Sequence, residues 1–304
     1  LILLAVGIAV YGIWRVSILG NAQVNLGALV DKGGPPEAVE RDGQAPAVGS
    51  DDAEGHFKRG MSLLQLQQAA EAEAAFREAL RISPDHSGAR FQLGTVLALR
   101  GDLEGAAGEY RVVLKITPND GEARARLANT LRRLGRVAEA VAEANLAVQV
   151  APQSSAAHEA LAHTFLAQGN MAAAADAFRK AAQLDPANVA LRINLGTSLR
   201  AEERFDEAVE AYREAIRIDP HSFYARLQIA GALAAQQKHD EAIVEFQAAL
   251  ELSPKDAEAH AGLGHSLRAV GRALEAAEHF HQALTINPNQ RDAQKALREM
   301  GITP

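Results

Sequence analysis

The chain has 304 residues, and 31 Lys and Arg stand against 38 Asp and Glu, for a formal net charge of −7. That acidic balance excludes nonspecific nucleic-acid binding, which relies on cations replacing the counterions of the phosphates. With no cysteine, disulfides, thiolate metal sites and covalent c-type haem attachment are excluded too.

Residues 1–20, LILLAVGIAVYGIWRVSILG, are apolar apart from Arg15. As a helix this stretch would reach about 30 Å, the thickness of a bilayer core. Tyr11 and Trp14 suit the membrane interface, and Arg15 beside them can snorkel to water. No small-x-small cleavage site follows, so the segment is expected to be a retained transmembrane anchor rather than a signal peptide. Ala5, Ala9 and Gly12 fall at i, i+4 and i+7 and give one smooth face for packing against another membrane helix.

Residues 21–52 change character. Gly33, Gly34, Pro35, Pro36, Gly43, Pro46 and Gly49 break helical periodicity, which predicts a linker. Its acids outnumber Lys32 and Arg41, whereas a cytoplasmic flank is usually rich in Lys and Arg. The expected location is therefore a bacterial inner membrane, with the rest of the chain in the periplasm. The Ala- and Arg-rich composition fits a bacterial source.

From residue 53 the sequence repeats. Pro84, Pro118, Pro152, Pro186, Pro220, Pro254 and Pro288 follow one another at intervals of 34 residues. Ala72, Ala106, Ala140, Ala174, Ala208, Ala242 and Ala276 keep the same register. Four residues after each alanine comes Phe76, Tyr110, Ala144, Phe178, Tyr212, Phe246 or Phe280. Twelve before it stands a small residue: Gly60, Gly94, Ala128, Ala162, Gly196, Ala230 or Gly264. This pattern resembles the tetratricopeptide repeat (TPR) family. The resemblance implies an all-α fold, a right-handed TPR superhelix (an α-solenoid) of seven helical hairpins, over 53–86, 87–120, 121–154, 155–188, 189–222, 223–256 and 257–290. In the fifth hairpin the helices should run from about Val189 to Arg200 and from about Phe205 to Ile218. Residues 291–304 should add a capping helix, with Ala293, Ala296, Leu297 and Met300 on one face.

Two departures from the family pattern stand out. The usual tryptophan at the fourth position is replaced by His56, Arg90, Arg124, His158, Arg192, Arg226 and His260. A cation in every copy can be a binding stripe, or long stems covering apolar surface; the family uses this position structurally, which favours the stems. Repeat three has Ala144 in place of the ring, so it is expected to pack least well; Ala144→Phe should stabilise it if the missing ring leaves a void, with overpacking as the opposing outcome.

No motif for an active site is present: GxxxxGK[ST], HExxH and GxSxG are all missing. Of the histidines in repeat seven, His279 and His281 diverge on a helix, as do His260 and His265, so neither cofactor nor metal is expected. The resemblance instead implies a concave face, lined by the first helices, that binds protein segments. Mapped onto this chain, that face holds Lys58, Arg126, Arg132, Arg133, Arg200 and Arg268 against one acid, Glu159. Asn129 and Asn194 would bond a peptide backbone, and His163 and His265 lie in the same set.

The expected function is that of a non-catalytic, membrane-anchored scaffold that assembles or holds partners of a membrane complex. Its partners would be integral membrane subunits and an acidic peptide or protein segment in the basic groove. The alternative is a permanent accessory subunit of a membrane-bound enzyme or electron-transfer complex.

Overall fold

The computed structural model describes residues 52–303, and these form fifteen helices and no strand. The expected membrane anchor with Ala5, Ala9 and Gly12, and the expected linker up to Asp51, lie outside the described residues. Among the described residues no helix is long and apolar enough to cross a membrane.

The chain divides into two compact units between Asp102 and Leu103. The first contains α1 (Ala53–Gln65), α2 (Ala69–Ile82) and α3 (Ser87–Leu99). The second begins with α4 (Leu103–Ile116), α5 (Gly121–Arg133), α6 (Val137–Val150), α7 (Ser155–Ala167) and α8 (Met171–Leu184). It continues with α9 (Val189–Ala201), α10 (Phe205–Ile218), α11 (Phe223–Ala235) and α12 (His239–Leu252), and ends with α13 (Ala257–Ala269), α14 (Ala273–Ile286) and α15 (Arg291–Glu299).

Each hairpin is punctuated alike. The first helix opens on a side-chain cap at Asp52, His86, Asp120, Ser154, Asn188, Ser222 or Asp256, again 34 residues apart. Asp120, for example, accepts the Ala123 amide N–H at 2.9 Å, which satisfies a donor the helix itself cannot use. That helix ends with one residue in the left-handed region: Gln67, Gly101, Gly135, Gly169, Glu203, Gln237 or Gly271. The chain then reverses and the second helix starts.

Four of the cations that replace tryptophan turn back to the preceding turn. Arg90 donates to the Pro84 carbonyl at 2.8 Å, Arg124 to Pro118 at 2.8 Å, His158 to Pro152 at 3.0 Å and His260 to Pro254 at 3.1 Å. In α15, Gln294 does the same to Pro288 at 2.7 Å. A carbonyl that would otherwise be left at the closing turn gains a donor. Arg124 and Arg226 also reach the second helix of their own hairpins, at Glu143 (2.7 Å) and Glu245 (3.4 Å). This stripe belongs to the scaffold.

Between the two helices of most hairpins lies a ring. A Cβ on Gly196 would stand 2.6 Å from the Tyr212 ring, and one on Gly264 would stand 2.8 Å from Phe280, so in these two hairpins the ring rests against bare backbone. Tyr212 and Phe280 are fully buried.

Repeat three corrects the expectation of poor packing. Ala144 is fully buried, in a cluster with Ala125, Ala128, Ala147, Ala157 and Ala160. Without a ring to hold them apart, α5 and α7 pack directly side by side, whereas α9 and α11, or α11 and α13, touch far less. Gly121 marks the same tightness, because a Cβ there would collide with Ala151 on the helix-ending turn. The missing ring is compensated by approach, leaving alanine against alanine.

At the end of the second unit α15 buries Ala293, Ala296 and Leu297, with Met300 half-buried beside them. Gly301, with φ 71°, ends that helix.

Candidate partner-binding groove

The first helices α5, α7, α9, α11 and α13 place the expected groove residues at matching registers of the second unit. On α5, Arg126 is half-buried and its guanidinium lies 3.4 Å from Glu122. Asn129 is half-buried and Arg133 is exposed. Arg132 differs from its neighbours. Its Nε is enclosed without a hydrogen-bond partner, and among the described residues no carboxylate lies within ion-pair distance. Burial, and secondarily the charge of Arg133, make the Arg132 guanidinium less basic than usual. A cation left in that condition gains most from an incoming anion.

His163 and His265 rest on the rings of their own hairpins. The His163 ring stands edge-on to Phe178, with centroids 5.1 Å apart, and His265 meets Phe280 at 4.9 Å. Thr197, at the same register, lies 3.2 Å from the Tyr212 hydroxyl. In these three repeats the ninth position is a seat over the ring, and these side chains are packed rather than free. His163 also approaches Glu159 at 3.6 Å. Burial lowers the pKa of His265, with Arg268 adding to the effect.

Two of the expected cations are engaged elsewhere. Arg268 pairs with Glu299 of α15 at 2.9 Å, which neutralises it. Arg200 hydrogen-bonds the Tyr212 hydroxyl, whose pKa burial pushes up to about 12. Asn194 is half-buried on the face of α9. The cations Arg126, Arg132 and Arg133 therefore come together on one helix, whereas Arg200 and Arg268 belong to different local surroundings.

Sequence reasoning missed Tyr224 and Glu258, both at the second position of their hairpins, on α11 and α13. Both interact electrostatically with Arg200 and with each other. Tyr224 is an aromatic ring left 41% exposed. Glu258 is exposed at its own register. Burial first, and then Asp256, raise its carboxyl pKa, with Arg200 opposing. The periodic search omitted the second position, so neither residue was flagged; an exposed tyrosine in a chain with four tyrosines was the available signal.

A second omission is the pair His260 and His279, 19 residues apart and so on facing helices. Their Nδ1 atoms lie 3.0 Å apart with stacked rings. His260 Nε2 must carry a proton to donate to Pro254, so in the neutral pair its Nδ1 accepts from His279 Nδ1–H. Repeats three and six hold Arg and Glu at these two positions, which makes the pair a variant of a structural link. Among the described residues no group of three or more potential ligands could hold a metal ion.

Family models described as tetratricopeptide repeat match residues 28–87, 57–121 and 245–291, then 97–163 and 199–265, then 155–188. No curated protein matches the chain. Among solved structures, the MamA protein is similar at 28% identity, with TM-score 0.50, over 57% of this chain and 94% of that one. YrrB, described as a TPR protein with an unusual peptide-binding site, has 23% identity and TM-score 0.56, covering 62% of this chain and 97% of its own. PilF of Pseudomonas aeruginosa has 20% identity and TM-score 0.59, covering 68% and 94%. With its 34-residue register, its hairpins of paired helices and these matches, the chain belongs to the tetratricopeptide repeat family.

Proposed function

We propose that this chain is a non-catalytic scaffold that holds an acidic segment of a protein partner on the first helix of repeat three. TPR proteins generally mediate protein–protein interaction, and the observation that directs this reading to one place is Arg132. Its guanidinium is half-enclosed, lacks a carboxylate, and stands beside Arg133. A partner carboxylate there would form charge-assisted hydrogen bonds in surroundings already partly shielded from water. The apolar run 1–20 supports the further reading of a bacterial inner-membrane protein with its repeats in the periplasm and integral membrane subunits among its partners.

The test is affinity purification of the full chain from detergent-solubilised membranes, with mass spectrometry of what accompanies it. Arg126→Glu with Arg132→Glu should remove the partner that binds through the groove, while the circular dichroism of the array stays unchanged. An identical set of partners in that variant overturns the groove reading. Recovery of the full chain in the soluble rather than the membrane fraction overturns the anchor.

A further inference from the structure

The ring of repeat six is seated differently from its counterparts. Phe76, Tyr212 and Phe280 rest against bare backbone of their own first helices, at Gly60, Gly196 and Gly264. Repeat six has the fully buried Ala230 at that register, and its methyl denies Phe246 the same place. The Phe246 ring leans instead on the next first helix, where a Cβ at Gly262 would run into it. It is 4% exposed, whereas Phe76, Phe178, Tyr212 and Phe280 are 0% and Tyr110 is 1% exposed. In repeats four and seven a histidine ring stands edge-on to the phenylalanine, His163 to Phe178 and His265 to Phe280. Repeat six has Gly231 at that ninth position, and a Cβ there would meet nothing within 4 Å. The hairpin keeps the lower ring of the arrangement and lacks the upper one. One turn before Gly231, on the same face of α11, stands Gln228. It is only 5% exposed, and among the described residues its carboxamide makes no hydrogen bond. An enclosed amide in that condition calls for a group that supplies the missing partner. Arg268, on the next first helix, is already paired with Glu299, so it offers an arriving acid little.

We infer that repeat six is a further partner site, which takes an aromatic side chain of an extended protein segment over Phe246 and bonds the segment's main chain through Gln228. The partner's ring stands where His163 and His265 stand in their own hairpins, edge-on to a phenylalanine, the arrangement that the charge distribution of aromatic rings favours. Gly231 and Gly262 are both half-buried and carry no side chain, so the segment's backbone can come close to α11 and α13. The Gln228 carboxamide has a donor and an acceptor, and a peptide group presents the complementary pair. This site uses none of the cations of repeat three, so either reading can fail without the other.

The experiment selects a displayed library of random twelve-residue peptides on the purified full chain. The expected result is enrichment of peptides that share an aromatic residue. They should bind about tenfold more weakly, or worse, to Gly231→His, which puts into the gap the ring that repeats four and seven already carry. That variant should fold at least as well as the original, since glycine is a poor helix former and open space receives the new side chain. Gln228→Leu should weaken the peptides similarly, yet raise the midpoint of chemical denaturation, because an unpartnered amide gives way to an apolar side chain. Loss of binding in variants that are no less stable separates an occupied gap from a damaged fold. Peptides that bind Gly231→His as well as the original overturn the inference; if the same peptides fail on Arg126→Glu with Arg132→Glu, the repeat-three site stands alone. A lower midpoint for Gln228→Leu overturns it too, by showing that the amide is used within the fold. An absence of enrichment also overturns it, and self-association of the chain that Gly231→His abolishes would then assign the gap to a second copy.

Discussion

Repeats three and five have helices of identical length, 13 and 14 residues, yet are held together by different means. In repeat five Tyr212 wedges between the helices and rests on Gly196, with its hydroxyl bonded to Thr197. In repeat three there is no wedge, and alanines let α5 approach α7 directly. The same hairpin is therefore reached either by filling the space with a ring or by closing it with small residues. The difference extends to the groove. In repeats four, five and seven the ninth residue is tied to the ring, as His163, Thr197 and His265 are. Repeat three lacks the ring and gathers Arg126, Asn129, Arg132 and Arg133 on its first helix.

The strongest way to test this comparison is to remove the wedge. Tyr212→Ala should destabilise the array by about 3–5 kcal/mol, the usual cost of deleting a fully buried aromatic ring. The midpoint of chemical denaturation measures it. The converse change, Ala144→Phe, should also destabilise, by about 1–3 kcal/mol or more, because the ring would have to push α5 and α7 apart. A higher midpoint for Ala144→Phe would mean that repeat three contains an unfilled space after all, and the comparison would collapse.

Repeat seven provides a pH-dependent contrast with both. Burial lowers the pKa of His265 and of His279, and the charge of Arg268 reinforces the first shift and His260 the second. A histidine whose folded pKa is lowered favours the neutral form in the native state. Its contribution to stability is complete above the unfolded value of about 6.5 and is lost as pH falls toward the folded value. The melting temperature should thus decline from pH 7 to pH 5, by less than the ring deletion produces. His279→Gln, which keeps a polar group beside His260, should flatten that decline. An equally steep decline in the variant would assign the effect to other groups.

Much of this was legible in the sequence because the repeat is exact in length. Prolines, alanines and rings at 34-residue spacing fix where each hairpin begins and what it buries. Repeat five came out within one residue at its first helix and without error at its second. The compensation at Ala144 was not legible, because periodicity tells which residue is missing but not whether neighbouring helices move to close the gap. Nor was the split of the groove cations. Arg268 and Arg200 look equivalent to Arg132 in register, yet Glu299 and the Tyr212 hydroxyl engage them, and those partners come from other helices.

The turn between the two helices distinguishes repeats three and five again, with the smallest effect. Both turns place one residue in the left-handed region, at Gly135 with φ 76° and at Glu203 with φ 58°. Glycine adopts that conformation freely, whereas a residue with a Cβ meets the following carbonyl and loses about 1–2 kcal/mol. Part of that gain is offset, since glycine gives the unfolded chain more freedom to lose. Glu203→Gly should therefore stabilise the array by about 0.5–1 kcal/mol, and Gln237→Gly in repeat six likewise. Gly135→Glu should have the opposite sign and about the same size. Because the three sites are solvent-facing turns away from the ring and the alanine cluster, their effects should add. Denaturation of the single and combined variants gives the answer. A Glu203→Gly protein no more stable than the original would show that its side chain contributes as much to the turn as its backbone costs.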